Sequence, residues 1–247
     1  MSLSDINIRE KEFHNKLQSK NKGRFENVFY KSLYNINEDF FSHIQRKANK
    51  SKILDFGCGT GVFIENLAKF KPKKIVGIDI SEVSIDKAKA KAKSMQIDAD
   101  FYVDNCEKTK FEDNSFDIVY GTGILHHLEF NKCLDEIHRI LKSKGSLVFI
   151  EPLGTNPIIN FYRKLTPNSR SKDEHPLINK DFEYIKSKFK KTNLRYYGFL
   201  TLIFSPFYKL PSQSKFFNLL TDFDKFLFKF EIFRKFAWSV LITAEKD

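Results

Sequence analysis

The sequence predicts an α/β protein built on a doubly wound, mostly parallel sheet. Between residues 51 and 151, short apolar runs alternate with helical patterns, a glycine-rich turn follows the first run, and an acidic residue ends the second. These three observations predict the fold class. The length of 247 residues suits one such domain with insertions, and a 41% hydrophobic composition can form a sizeable core.

The first half of the chain carries the predicted core in strand and helix order. Residues 9–46 place apolar side chains at helical spacing, which predicts one or two helices. Ser81 precedes a helical pattern rich in Lys and Ala, where its hydroxyl can cap the first turn. Strands are predicted at 52–56, 74–80, 99–104, 116–121 and 146–151, and helices at 61–70, 82–95 and 132–141.

After Pro152 the alternation of strand and helix patterns becomes less regular. Prolines and polar clusters between 153 and 178 predict an insertion with one short helix at 157–165. The late pair of strands places one antiparallel strand at the edge of a seven-stranded sheet. The other elements predicted in this half are helices at 179–190 and 214–236 and strands at 194–204 and 237–244.

Charge and aromatic residues are unevenly distributed. The formal net charge is +11, but residues 51–151 carry −1, whereas 1–50 carry +4 and 152–247 carry +8. The last segment also holds 20 of the 37 aromatic residues. An AT-rich coding bias explains high Lys and Phe levels overall, but not their concentration after residue 151.

Composition also excludes several classes of protein. Three cysteines are too few for a disulfide scaffold, and no Cys/His cluster has the spacing of a metal site, so no metal is predicted. The polar N-terminus is not a secretory signal, and no apolar run reaches the roughly 18 residues that span a bilayer. A cytoplasmic protein is therefore expected.

The most specific motif is the glycine-rich run at 53–61. It follows a predicted strand and opens a helix, where glycine lets the backbone approach a ligand closely. Its spacing, Gly57-x-Gly59-x-Gly61 with Asp55 two residues ahead, departs from the G-x-G-x-x-G of dinucleotide sites. Asp79 ends the next strand about 20 residues on, where ribose hydroxyls are usually held.

This run resembles motif I of class I S-adenosylmethionine-dependent methyltransferases. Residues 76–81 resemble the second motif, whose acidic residue holds the ribose, and Asp104 lies where such enzymes contact adenine. Further similar stretches are 111–119, 124–128 and 140–150. Together they cover 53–151 and resemble the ubiquinone/menaquinone-biosynthesis type, methyltransferase type 11. The resemblance implies a Rossmann-like fold and S-adenosylmethionine as the cofactor.

The resemblance also implies roles for individual residues. Asp79 would take both ribose hydroxyls, and Asp104 would face the adenine amino group. Asp55 would bind the methionine ammonium, directly or through water, or else cap the glycine turn. The predicted cofactor-binding residues are Asp55, Gly57, Cys58, Gly59, Gly61, Asp79, Ile80, Asp104, Asn105, Cys106 and Gly121.

Methyl transfer from a sulfonium is an in-line displacement that needs a base only when the acceptor must lose a proton. The candidate bases are His126, His127, Glu151 and His175. The histidine pair is common in the resembled family, which favours structure or cofactor shielding over catalysis. Glu151 ends the fifth strand, at the edge where ligands bind, or hydrogen-bonds a loop backbone there.

Acceptor recognition is expected from the N-terminus and from the insertion after the fifth strand. His14 would belong to a lid over the cofactor, or lie on a helix surface. Tyr162, Arg163 and Arg170 lie in the insertion, where an arginine fork can pair with an anionic acceptor. The alternative is a solvated loop.

We therefore predict one methyltransferase domain over 1–247. A helical lid (1–50) and two acceptor-cap insertions (152–178 and 204–236) would surround a cofactor-binding core (51–151). The predicted reaction is methyl transfer to a small or lipid-like acceptor that is anionic or aromatic, on oxygen first and on carbon second. The alternatives are an RNA methyltransferase and a non-catalytic cofactor-binding or membrane-surface module.

The basic, Phe-rich segment 214–236 has three possible interpretations. It is a helix that packs over the acceptor pocket, an amphipathic surface that contacts anionic lipid, or a nucleic-acid surface. We disfavour nucleic acid because no RNA-binding domain or base-methylation motif is present. The sequence does not indicate an oligomeric state.

Overall fold

The computed structural model describes residues 3–19, 28–166 and 171–247, and these form one seven-stranded sheet with helices on both faces. The strand order is β3-β2-β1-β4-β5-β7-β6. The first five strands pair in parallel, and β7 is antiparallel to both of its neighbours. The strands are β1 (Lys52–Phe56), β2 (Lys74–Asp79), β3 (Ala99–Val103), β4 (Phe116–Thr122), β5 (Leu141–Pro152), β6 (Lys191–Tyr197) and β7 (Ser239–Glu245).

Ten α-helices surround this sheet in the described part of the chain, joined in places by short 3-10 turns. They are α1 (Asp5–Ser19), α2 (Tyr34–Ala48), α3 (Ile64–Ala68), α4 (Glu82–Ser94), α5 (Phe130–Ile140), α6 (Pro157–Leu165), α7 (Asn179–Lys188), α8 (Leu200–Ile203), α9 (Lys215–Leu227) and α10 (Glu231–Arg234).

The core has two halves because successive strand residues point to opposite faces of the sheet. Ile53 of β1 packs on one face with apolar residues of α2, α3 and α4. Leu54, its neighbour, packs on the other face with residues of α5 and α7. Helices on both faces bury the central strands, which is the arrangement expected of a parallel sheet.

The predicted fold class is confirmed. The predicted strands and helices of residues 51–151 are present, although α3 is shorter than expected and β5 begins earlier. The Ser81 hydroxyl accepts the Ser84 N–H at 3.1 Å, as predicted for a helix cap. The antiparallel strand β7 lies one place in from the edge, and β6 closes the sheet.

Two predicted elements of the second half differ in the structure. The strand expected at 194–204 ends at Tyr197, because Gly198 turns with a φ of +80°. The carboxylate of Asp224 then accepts the N–H groups of Phe199, Leu200 and Thr201, which starts α8 instead. Sequence patterning did not indicate this carboxylate, since it comes from α9, more than 20 residues later.

The long helix predicted at 214–236 is divided into α9 and α10. The chain turns at 228–230, and the Phe228 ring in this turn is buried against Tyr196 and Phe199. The Arg234 guanidinium donates to the carbonyl of Phe228 at 3.0 Å, which satisfies a carbonyl at the end of α9. A single amphipathic pattern can therefore belong to two helices when a buried aromatic lies at the break.

The fold brings the cofactor and cap segments to one edge of the sheet. The carboxyl ends of the parallel strands meet there, together with the start of β7 and the end of β6. The Asn156 side chain before α6 donates to the Phe236 carbonyl at 2.5 Å, so the chain segments around α6 and α10 are adjacent. No described helix is both long enough and apolar enough to cross a bilayer.

Gly121 near the end of β4 gives a direct test of this packing. A Cβ there would lie 2.5 Å from Phe149 and 2.7 Å from the Phe56 carbonyl oxygen. We expect Gly121→Ala to lower the free energy of unfolding by about 3 kcal/mol, at the upper end of the usual cost of overpacking, because the core must shift to accommodate the methyl group. Urea unfolding monitored by circular dichroism measures this change.

Gly59→Ala is the matched control for the Gly121 variant. A Cβ at Gly59 meets nothing within 4 Å, so only its φ of +50° opposes the substitution, at roughly 1 kcal/mol. A Gly121 variant as stable as the Gly59 variant would contradict the packing described for β4.

Candidate active site

A cavity of about 520 Å³ lies at the carboxyl edge of the sheet, under α1. The turn after β1, the ends of β2 and β4, and the loop after β3 form its floor, and α1 forms the opposite wall. The lining residues are Asn7, Glu10, His14, Leu17, Asp55, Gly57, Cys58, Gly59, Thr60, Val62, Phe63, Asp79, Ile80, Ser84, Lys87, Asn105, Cys106, Thr122, Gly123, Ile124, His127 and Leu128.

The glycine turn after β1 shapes the floor of the cavity. Gly57 has a φ of +74°, and a Cβ on it would lie 2.5 Å from the Ile124 side chain. Glycine is therefore required at this position for both conformation and space. Gly61 is also in the left-handed region but packs against Ala88 of α4, and it lies outside the cavity lining.

Asp79 connects the glycine turn to the start of α4. Its Oδ2 accepts the Gly59 N–H at 2.9 Å and its Oδ1 accepts the Ser81 N–H at 2.8 Å. Burial in the cavity wall raises the pKa of Asp79, and these backbone donors partly offset that effect. The carboxylate is thus fixed in position at the cavity surface, with Ile80 beside it.

Asp55 lines the cavity beneath the same turn. Its side chain is buried, and burial raises the pKa of this carboxyl to about 7, with a further contribution from the negative charge of Asp79. A buried carboxyl facing a cavity can bind a cationic group, because pairing offsets the cost of removing its charge from water.

The loop after β3 contributes Asn105 and Cys106 to the lining. Asp104, predicted to face adenine, accepts the N–H groups of Asn105 at 3.0 Å and Lys110 at 3.1 Å. It shapes the loop and lies outside the lining. Gly121 is likewise outside it, packed in the core, while the following Thr122 lines the cavity.

Glu151 anchors the loop after β4. It is fully buried, and its Oε1 accepts the N–H groups of Ile124 at 2.9 Å and Leu125 at 2.8 Å. Its Oε2 lies 2.7 Å from Nδ1 of His126. Glu151 and His126 both lie outside the lining, so they position the loop and present His127 to the cavity.

His127 lies at the junction of two cavities. It lines the first, and with Leu128 it also lines a second, more open cavity of about 780 Å³. Burial lowers the pKa of the His127 imidazole. His175 lines only the second cavity, where a hydrogen bond to Asp181 raises its pKa. The second cavity is formed mainly by the start of α5, by α7 and by the segment 173–181.

Helix α1 brings two residues that sequence reasoning missed, Asn7 and Glu10. Both are buried and line the first cavity with the predicted His14. Oε2 of Glu10 lies 3.1 Å from Nδ1 of His127 and 3.6 Å from Nε2 of His14. The spacing of Glu10 and His14, four residues apart on one helix face, was the available signal.

Arg163, a predicted acceptor-binding residue, lines neither of these cavities. Arg163 Nη1 donates to the Leu153 carbonyl and to Asn160 Oδ1, both at 2.8 Å, so it fastens α6 to the end of β5. Tyr162 lies on the same helix, and neither residue lines either cavity. Arg170 lies outside the described residues.

Comparison with known proteins identifies the core. Residues 54–149 match a family model described as a methyltransferase domain. A demethylmenaquinone methyltransferase of Bacteroides fragilis is 34% identical over 104 residues, 40% of this chain and 42% of that protein. The sterol 24-C-methyltransferase of Aspergillus fumigatus is 29% identical over 135 residues, 53% of this chain and 36% of that protein. The chain thus spans less than half the length of these relatives.

Solved structures extend the likeness beyond the core. One similar structure is a geranyl diphosphate C-methyltransferase from Streptomyces coelicolor in complex with Mg²⁺, geranyl diphosphate and S-adenosyl-L-homocysteine. It superposes on this chain with a TM-score of 0.69. The alignment covers 100% of both chains at 14% sequence identity. At that identity the likeness shows the fold. The chain therefore contains a class I S-adenosylmethionine-dependent methyltransferase domain at its centre, and S-adenosylmethionine is the cofactor of that class.

Proposed function

We propose that the chain transfers the methyl group of S-adenosylmethionine to a small, lipid-like acceptor. The observation that carries this proposal is the junction at His127, where the cavity lined by the cofactor motifs meets a second cavity. A methyl donor in the first cavity and an acceptor in the second would meet there. The names of similar proteins, which include quinone, sterol and geranyl diphosphate methyltransferases, support an acceptor of this class.

The lining residues suggest how the cofactor is held. Asp79 would accept the ribose hydroxyls, Asn105 and Cys106 would border the adenine, and Asp55 would pair with the methionine ammonium. The backbone of Gly57 and Gly59 would lie against the rest of the molecule. Helix α1 would exclude water from the cavity. In such a transfer the protein contributes mainly by aligning the donor with the acceptor and by excluding competing reactions.

Our choice of acceptor atom rests on which of the candidate bases line the cavities. Among the four candidate bases, His127 alone lines both cavities, while Glu151 and His126 hold its loop and His175 lies farther into the second. A polar junction of this kind suits an acceptor that loses a proton, such as a hydroxyl or an acidic carbon. We therefore favour oxygen as the acceptor atom, and carbon second.

A lipid-like acceptor also fits the surface formed by residues 203–236, which we name the cap face. Monomeric soluble proteins rarely expose large contiguous apolar patches. Lysines at 209, 215, 225, 229 and 235 alternate with its aromatic side chains, as in surfaces that contact anionic lipid. More than half of the side-chain surface is exposed for Phe207, Leu219, Phe223, Phe226, Phe230 and Ile232.

Substitution of Asp79 tests the cofactor half of the proposal. We expect Asp79→Asn to weaken S-adenosylhomocysteine binding roughly 10- to 150-fold, because hydrogen bonds to a charged group contribute about 1.5–3 kcal/mol. Isothermal titration calorimetry measures the affinity of each variant for S-adenosylhomocysteine. Asp100→Asn, a partly exposed carboxylate on β3 that pairs with Lys74, is the control and should bind normally. Equal affinity of the two variants, or no binding by the wild type, would contradict the proposed site.

Asp55 makes the binding of S-adenosylmethionine depend on pH. Since its pKa is about 7 before the ligand binds, the ionised fraction that can pair with an ammonium falls roughly tenfold from pH 8 to pH 6. Affinity should fall by a similar factor over that interval. Asp55→Asn should remove this part of the pH dependence. A wild-type profile identical to that of the variant would show that Asp55 only caps the turn.

The cap face predicts binding to anionic vesicles. We expect the full chain to co-sediment with vesicles containing phosphatidylglycerol more than with neutral ones, and added salt should weaken the binding. The triple variant Phe223→Ser, Phe226→Ser, Phe230→Ser should lose most of it. Tyr102→Ser is the control, because Tyr102 is 48% exposed on β3 at the other end of the sheet. Unchanged sedimentation of the triple variant would refute the membrane contact.

A further inference from the structure

Three side chains with metal-binding groups converge at the junction of the two cavities. Glu10 and His14 come from α1, and His127 comes from the loop after β4. One donor atom of each lies within 4.8 Å of the other two. Glu10 and His127 are each more than nine-tenths buried, so the cluster is enclosed and its carboxylate is shielded from water.

The carboxylate of Glu10 lacks adequate partners. Neither of its oxygen atoms receives a hydrogen bond of normal geometry, although both are buried. Burial of a carboxylate without hydrogen-bond donors is strongly unfavourable unless a positive charge compensates it. The Glu10 carboxylate therefore lies beside two imidazoles without a hydrogen bond of normal geometry to either of them.

The distances suit a metal ion of the zinc type. Ligands at about 2.0–2.1 Å from a tetrahedral ion lie about 3.3 Å from one another. Oε2 of Glu10 is 3.1 Å from Nδ1 of His127 and 3.6 Å from Nε2 of His14, on either side of that value. Two imidazoles and one carboxylate favour Zn²⁺ and similar ions over Mg²⁺ or Ca²⁺, which prefer oxygen ligands alone.

The surroundings of the cluster support the same assignment. The second ring nitrogen of a metal-bound histidine is usually paired with an outer carboxylate. Nε2 of His127 lies 3.7 Å from Oε1 of Glu174, so a carboxylate is close to that nitrogen although the distance exceeds that of a hydrogen bond. Three protein ligands would leave a fourth position, open toward the cavities, as in zinc sites that bind substrate.

We propose that Glu10, His14 and His127 bind one divalent ion of the zinc type, which fixes α1 over the cofactor cavity and offers its open position to an oxygen atom of the acceptor. The second part rests on the proposed function, and the first does not. His127 then acts through the ion, because its Nδ1 is a ligand and its Nε2 faces Glu174.

The ion would add a buried link between α1 and the core, beside the hydrogen bonds of Asn7 to Glu107 and of Ser81 to Asn15. The other ties of α1 include the pairs Arg9–Asp173 and Lys11–Glu82, which are partly exposed at the protein surface. Exposed ion pairs contribute little to stability. A buried metal contact at the middle of the helix would hold it much more firmly, so the ion would control access to the cofactor.

Zinc titration of the full chain tests the site without cofactor or acceptor. After dialysis against a chelator, we expect one equivalent of Zn²⁺ to bind, measured by calorimetry and by competition with a chromogenic chelator. Glu10→Gln and His14→Ala should each weaken binding by more than the roughly 10- to 100-fold that loss of an outer partner costs. His43→Ala is the control, since His43 bonds only a backbone carbonyl within α2 in the described structure.

Hydrogen exchange of the α1 amides provides the second measurement. Zn²⁺ should slow exchange in the wild type and in His43→Ala but not in His14→Ala. The proposal is overturned if the wild type binds no stoichiometric Zn²⁺, or if the variants bind it as tightly as the control. In that event Glu10 and His127 form an ion pair only. The proposed methyl transfer would stand, because neither measurement involves it.

Discussion

The candidate site depends on one buried carboxylate. Glu151, at the end of β5, accepts two consecutive backbone N–H groups of the loop after β4 and contacts His126. A fully buried acid is tolerated because these donors replace the water it loses. The loop it holds separates the two cavities and carries His127 at their junction. Without this anchor, the parallel strands would still bring the cofactor motifs together, but the wall facing the acceptor would have no fixed position.

The cofactor half could be predicted from the sequence because its signals are local. Gly57 and Asp79 lie in short motifs at strand ends, and a parallel sheet places those ends at one edge. Asp104 shows the limit of that reasoning, since its carboxylate accepts two backbone N–H groups of its own loop and it does not line the cavity. The spacing of a motif indicates where a residue lies, but not which neighbours its side chain meets.

The acceptor half could not be predicted in the same way, since its contacts join distant parts of the chain. Glu10 meets His127 across 117 positions of the sequence, and a Glu–His pair on a charged helix is too common to single out. The sequence predicts that Arg163 binds an anion, yet its Nη1 donates hydrogen bonds to the Leu153 carbonyl and to the Asn160 side chain. The basic and aromatic excess after residue 151 was visible in the composition. The structure adds that many of those aromatic side chains are exposed on the cap face.

The central claim is that this domain methylates a lipid-like molecule at the junction of the two cavities. The most direct test incubates the protein with S-adenosylmethionine carrying a radiolabelled methyl group, together with total lipid extract or total RNA. The account predicts label in the organic-soluble fraction, time-dependent with the wild type and strongly reduced with His127→Asn. Label in RNA, or no transfer under conditions where the cofactor is bound, would contradict it.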